Sequence, residues 1–189
     1  MSDSPAHYLV IDFEATCCDR GSVPRHEMEI IEIGAVMVAA DTLAPLAEFQ
    51  RFIRPVRHRR LTAFCTQLTS ITQADVDGAG DFKAVMAEFR DWLAPWPDLV
   101  FGSWGDYDER QLRQDCSYHR VGYPIRGPHL NLKRAFAEKQ GLERGIGLGQ
   151  AVRLAGLRFA GTHHRGIDDA RNITRLLPYS LGRQALSKS

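Results

Sequence analysis

The sequence predicts an α/β fold in which a mixed β-sheet, antiparallel through its first three strands and parallel after them, is flanked by α-helices. Three observations carry this expectation. The first third of the chain is dominated by apolar, β-branched segments. Only short connections separate these segments, so neighbouring strands must reverse direction. Further along, strand-like runs alternate with stretches of helical periodicity, the pattern of a sheet covered by helices.

The elements follow in order. His7–Phe13 and Glu29–Val38 are rich in β-branched and aliphatic residues and read as buried strands; Ala47–Ile53, with Phe49, Phe52 and Ile53, reads as a third. Asp41-Thr-Leu-Ala-Pro45 supplies the turn between the second and third. Asp81 is an expected N-cap, after which Phe82, Val85, Met86, Phe89, Trp92 and Leu93 recur at helical spacing until Pro95 ends the run. Asp98–Trp104 reads as a strand, Tyr107–His119 as a helix and Leu130–Leu132 as a short strand. Helices are expected through about Lys139, near Leu148–Ala155 and from about Ile167 to Leu177. No repeat, low-complexity tract or linker divides the 189 residues, so residues 1–189 are expected to form one domain with its core over about 7–180 and polar tails at both ends.

Hydrophobic residues at 44% and charged residues at 25% describe a globular chain rather than a disordered or fibrous one. No run approaches the ~18 apolar residues of a membrane span, and Met1–Ala6 lacks the basic start and cleavage site of a signal peptide. A cytoplasmic location without a membrane partner is expected. Cys17, Cys18, Cys65 and Cys116 form no C-x-x-C pair and read as free thiols. A net charge of +1 excludes the marked basic excess of strong nucleic-acid backbone binders, so any such contact must be local. The densest basic stretch, Arg51, Arg54, Arg57, Arg59 and Arg60, is either such a contact or a solvated surface.

Three acidic segments stand out. Asp12 and Glu14 end the first strand, and residues two apart on a strand share a face. Two half-buried carboxylates on one face repel each other and lose hydration, so they need cations or protons. The alternative is that one caps a loop while the other meets solvent. The second segment is His163-His-Arg-Gly-Ile-Asp-Asp-Ala-Arg-Asn172. Residues five apart in a helix point ~140° from each other, so His164 meets Asp169 only if it precedes the helix, with Gly166 easing the turn. Otherwise Asp168 and Asp169 are first-turn acids that favour the helix dipole. The third is Gly105-Asp-Tyr-Asp-Glu109. There Asp106 and Glu109 have the spacing of a capping box, which leaves Asp108 as the better metal ligand.

Asp-Phe-Glu-Ala-Thr, Tyr-Asp followed by Leu112, and His-Arg-Gly-Ile-Asp-Asp-Ala-Arg-Asn occur in the order of the three motifs of the DEDDh 3′-5′ exonucleases, which the chain resembles from about Tyr8 to Leu177. Phe64-Cys-Thr-Gln-Leu-Thr-Ser-Ile-Thr-Gln73, Val76-Asp77 and Leu130-Asn-Leu-Lys133 are similar to the subgroup that includes the histone-mRNA 3′ exonucleases. The stretch Pro55-Val-Arg-His-Arg-Arg60 is more basic than the pattern of that subgroup. The resemblance implies a ribonuclease-H-like fold and the catalytic set Asp12, Glu14, Asp108, His164 and Asp169. The four acids would hold two Mg²⁺ ions, with Mn²⁺ as a substitute, and His164 would act as general base. The implied partner is single-stranded nucleic acid with a free 3′ end, RNA favoured, and the products are nucleoside 5′-monophosphates. Phe64 and Trp104 are expected to stack on bases, and the backbone around Phe13, Ala15 and Thr16 to line the terminal nucleotide. The same chemistry would serve DNA or very short oligoribonucleotides. A binding module without catalysis would be expected to have lost an acid, and all four are present.

Overall fold

The computed structural model describes residues 5–187; the outermost parts of the two polar tails, residues 1–4 and 188–189, lie outside the described residues. Five strands form one sheet: β1 (His7–Ala15), β2 (Ile30–Ala39), β3 (Pro45–Phe52), β4 (Leu99–Ser103) and β5 (His129–Asn131). Their order is β3-β2-β1-β4-β5, with β1/β2 and β2/β3 antiparallel and β1/β4 and β4/β5 parallel. The expected mixed sheet is therefore present. Between and after the strands lie α1 (Ala63–Thr69), α2 (Gln73–Asp77), α3 (Phe82–Leu93), α4 (Tyr107–His119), α5 (Leu132–Gln140), α6 (Leu148–Leu154) and α7 (Gly166–Ser180).

Side-chain alternation along β1 builds a core on each face of the sheet. Leu9, Ile11 and Phe13, with Ile33, Ala35 and Met37 of β2, pack against Phe82, Val85, Met86 and Phe89 of α3. Tyr8 and Val10, with Val36 and Val38, pack against Phe136 of α5 and Ile167, Ala170, Ile173 and Leu177 of α7. The N-cap expected at Asp81 is in place, its side chain accepting a hydrogen bond from the Ala84 amide at 2.9 Å. Phe89 is fully buried, so truncating it to alanine would cost about 3–5 kcal/mol.

Several boundaries differ from those the sequence suggests. β1 runs on to Ala15, two residues past the expected Phe13, so Glu14 as well as Asp12 lies within the ladder. α7 extends to Ser180 and carries Pro178. Helices α1 and α2 are too short for periodicity to reveal; Thr62 and Thr72 cap them through Cys65 N and Asp75 N.

Candidate active site

Asp12 and Glu14 continue the β1 face that Tyr8 and Val10 turn toward α7. Helix α7 begins beside Asp12 because two glycines permit it. Gly34 pairs with Asp12 across the ladder, and a Cβ on Gly34 would collide with the Gly166 backbone. A Cβ on Gly166 would lie 2.9 Å from Asp12 O. The first turn of α7 then places Asp169 against the strand, and oxygens of Asp12, Glu14 and Asp169 lie within 4.8 Å of one another. Asp108, in the first turn of α4 and 4% exposed, reaches the same strand: its Oδ1 accepts a hydrogen bond from Phe13 N at 3.0 Å.

These carboxyls repel each other in a desolvated place. Burial, then Asp108, Glu14 and Asp169, hold Asp12 well above the usual carboxylate range. Burial and then the Asp169 charge push Glu14 up to about 9. Burial raises Asp108 to about 6 against the pull of the Phe13 amide, and raises Asp169 to about 7 against the His164 amide. Asp169 Oδ1 is buried with no hydrogen-bond partner among the described residues, while Oδ2 accepts one from His164 N at 3.3 Å. Oxygen-only donors, mutual repulsion and an orphaned buried oxygen fit divalent cations.

His164 does precede the helix, as convergence with Asp169 requires, and a nitrogen of each of His163 and His164 lies within 4.8 Å of an Asp169 oxygen. The expectation that Gly166 eases the turn is corrected. His164 itself takes the left-handed conformation, at φ 64°, and Gly166 is needed for close approach to Asp12. Burial and the neighbouring His163 ring both lower the His164 pKa.

One residue at the site escaped the sequence reading. Glu32 is fully buried and lies opposite Glu14 in the β1/β2 ladder. It accepts hydrogen bonds from Arg165 Nε and Nη2, both at 3.1 Å, from Gly166 N at 3.0 Å and from Gln50 Nε2 at 3.0 Å. It therefore grips the segment that joins His164 to α7. The available signal was a lone acid in the otherwise apolar run Ile30-Ile-Glu-Ile33, in phase with Gly34.

The capping box expected at Asp106 and Glu109 is absent. Asp106 makes no side-chain cap bond; its Oδ1 accepts from Asn131 Nδ2 at 2.8 Å, because β5 comes alongside. Glu109 pairs with Arg113 at 2.8 Å and lies 3.4 Å from His129. Phe64 is 36% exposed on α1. Trp104 is half-buried: its indole donates to Ile146 O at 2.9 Å and its ring meets Phe136 edge-on, so the fold already occupies part of its surface. Phe13 is a core side chain with its amide given to Asp108. Ala15 O faces the Cys65 thiol, and Thr16 bonds the Glu29 backbone through both its amide and its hydroxyl.

Comparison with known proteins places this arrangement. The exonuclease family model RNase_T matches residues 9–177. Human ERI1 exoribonuclease 3 is 34% identical over 181 residues, which cover 90% of this chain and 52% of that protein. The probable 3′-5′ exonuclease KapD of Bacillus subtilis is 30% identical over 169 residues, covering 89% of this chain and 81% of that one. The nuclease domain of 3′hExo, a DEDDh family member solved bound to rAMP, superposes with a TM-score of 0.87 at 29% identity, covering 97% of this chain and 95% of that one. The chain spans about half the length of the mammalian relatives it matches.

Proposed function

This chain belongs to the RNase_T exonuclease family, within its DEDDh group, and from that premise we propose that it removes nucleotides from the free 3′ end of single-stranded RNA. The observation that carries the reading is the meeting of Asp12, Glu14 and Asp169 oxygens within 4.8 Å beside the buried Asp108. The exoribonuclease names of its relatives support RNA over DNA.

Asp12, Glu14, Asp108 and Asp169 would hold two divalent ions, with Mg²⁺ or Mn²⁺ suited to an all-oxygen donor set. Such ions neutralise the carboxylates, acidify water and stabilise charge on the scissile phosphate. The chain's own groups do the rest. His164, kept neutral at neutral pH by its lowered pKa, takes the proton of the attacking water. The Phe13 amide fixes the Asp108 carboxylate that it binds. Glu32, through Arg165 and Gly166, fixes the turn that presents His164. Phe64 offers an exposed ring for base stacking, and the half-buried Trp104 offers only its remaining exposed part as a second. The products are nucleoside 5′-monophosphates.

Incubation with 5′-labelled RNA and DNA of matched sequence tests this reading. The expected outcome is a ladder of shortening products, faster on RNA, abolished by chelator and restored by Mg²⁺ or Mn²⁺. Cleavage of a circular RNA at a comparable rate, or full activity in chelator, overturns it.

A further inference from the structure

Of the five arginines in the basic stretch, the fold engages two. Arg51 pairs with Glu88 at 2.8 Å. The Arg57 guanidinium lies 3.4 Å from the Tyr118 ring centroid and donates to His26 O at 2.7 Å. Arg54, Arg59 and Arg60 are exposed and form no ion pair among the described residues. The acids nearby are engaged elsewhere: Asp77 accepts from Gln73 Nε2 at 2.9 Å, Asp75 serves the Thr72 cap, and Glu27 meets His58 at 2.9 Å.

Exposed arginines on an ordinary loop are mobile solvated charges, but here a buried carboxylate holds the backbone that carries them. Glu29, 2% exposed, accepts the amides of Val56 at 3.0 Å, Arg57 at 2.7 Å and His58 at 3.3 Å. Gln73 grips the next stretch from both sides, donating to Arg59 O at 2.8 Å and accepting from Leu61 N at 2.9 Å. The Thr62 hydroxyl then donates to Cys17 O at 2.7 Å, three residues after Glu14. Two residues span at most ~7 Å, so Arg60 stands next to the segment that leaves the acid cluster. Immediately after it, α1 exposes Phe64 and Leu68, 36% and 37% open and one helical turn apart. A pair of free guanidiniums on a held backbone, beside an exposed apolar face, is the combination a single strand needs, charge for its phosphates and a surface for its bases.

We propose that Arg59 and Arg60 form a phosphate rail for the part of a single strand upstream of the nucleotide being removed. The inference rests on the exonuclease reading for the direction of the strand. It concerns a surface separate from the four acids, and it is indifferent to sugar because phosphates are what it contacts.

Binding of a 5′-fluorescent single-stranded RNA of about 20 nucleotides, longer than the ~4–16-nucleotide footprints common among such proteins, is measured by anisotropy in chelator, where nothing is cleaved. The Arg59→Ala/Arg60→Ala variant is expected to bind at least about tenfold more weakly in low salt. Its slope of log affinity against log salt is expected to be shallower by about 1.4, at ~0.7 per lost phosphate contact. With metal present, the ratio of KM for this RNA to KM for a dinucleotide should rise by a similar factor. Arg51→Ala removes one charge from the same stretch, already paired with Glu88, and should leave affinity and salt slope at the wild-type level. If the double variant matches wild type in affinity and salt slope, or if Arg51→Ala weakens binding as much, the rail is overturned. A wild-type protein that binds through Arg59 and Arg60 yet never shortens the RNA upholds the rail and overturns the exonuclease reading instead.

Discussion

Two groups of carboxylates, all buried except the half-buried Asp12, flank the end of β1, and they are treated in opposite ways. Glu29 and Asp115 stand where the chain enters β2. Three backbone amides bind Glu29, and Asp115 accepts from Ile30 N at 2.6 Å and from Gln111 Nε2 at 3.2 Å. Asp12, Glu14, Asp108 and Asp169, on the other side, share two backbone amides, those of Phe13 and His164, and leave Asp169 Oδ1 with no partner among the described residues. A buried charge stabilises a fold when donors meet it and strains a fold when other charges meet it. The first group is built to hold loops together. The second is built to be completed by something positive.

The largest expected effect tests the second group as the reactive one. Asp108→Asn should nearly eliminate turnover of labelled RNA while the circular dichroism spectrum stays native. If it retains more than a tenth of wild-type activity, Asp108 belongs with the structural acids. His164→Ala should lower turnover by about 10²–10⁴-fold with Mn²⁺ affinity largely kept, as measured by titration calorimetry. Because its ring also lies near Asp169, a loss of Mn²⁺ affinity as severe as that of Asp12→Ala would make His164 a ligand instead of a base.

Stability should respond with opposite signs in the two regions. Glu29→Gln removes charge-assisted bonds worth about 2–3 kcal/mol together, and should lower Tm by roughly 5–10 °C for a chain of this size. Asp12→Asn should raise the Tm of metal-free protein at pH 8, because it removes a repelling charge. A lower Tm for Asp12→Asn would place Asp12 among the satisfied acids.

The pH dependence sharpens the contrast further. Glu14 at about 9, Asp169 at about 7 and Asp108 at about 6 are raised above their unfolded values near 4. Between those limits the folded state binds more protons than the unfolded one, so the contribution of these acids to metal-free stability is fully present below about pH 4 and is lost as pH rises toward about 9. Asp115, also raised by burial to about 7 despite its amide partner, adds to this slope from the other region. Excess Mg²⁺ should flatten the part owed to the four acids and leave that of Asp115. A slope unchanged by Mg²⁺ in thermal melts across this range would mean the acids do not bind it. The smallest effect is expected of Asp106→Ala, which loses one half-buried bond to Asn131. It should cost about 1 kcal/mol and keep turnover.

The sequence by itself determined the strands, the longer helices and the reactive residue types, but not α1 and α2. Alternation in β1 and β2 and helical spacing in α3 are local patterns, and α4 was legible to its exact ends as Tyr107–His119. The three acidic segments were visible because charge at the end of an apolar run is conspicuous. What the tertiary structure decided were matters of partnership between distant residues. The sequence separated Asp106 from Asp108 by a capping role that the fold does not use; β5 supplies Asn131 to the one and β1 supplies the Phe13 amide to the other. Glu32 became part of the site only when Arg165, 133 positions away, folded onto it. Five neighbouring arginines became two engaged and three free only when Glu88 and Tyr118 arrived. Periodicity is written within a few residues of chain, whereas burial, pairing and pKa depend on what comes alongside, and only folding brings those groups together.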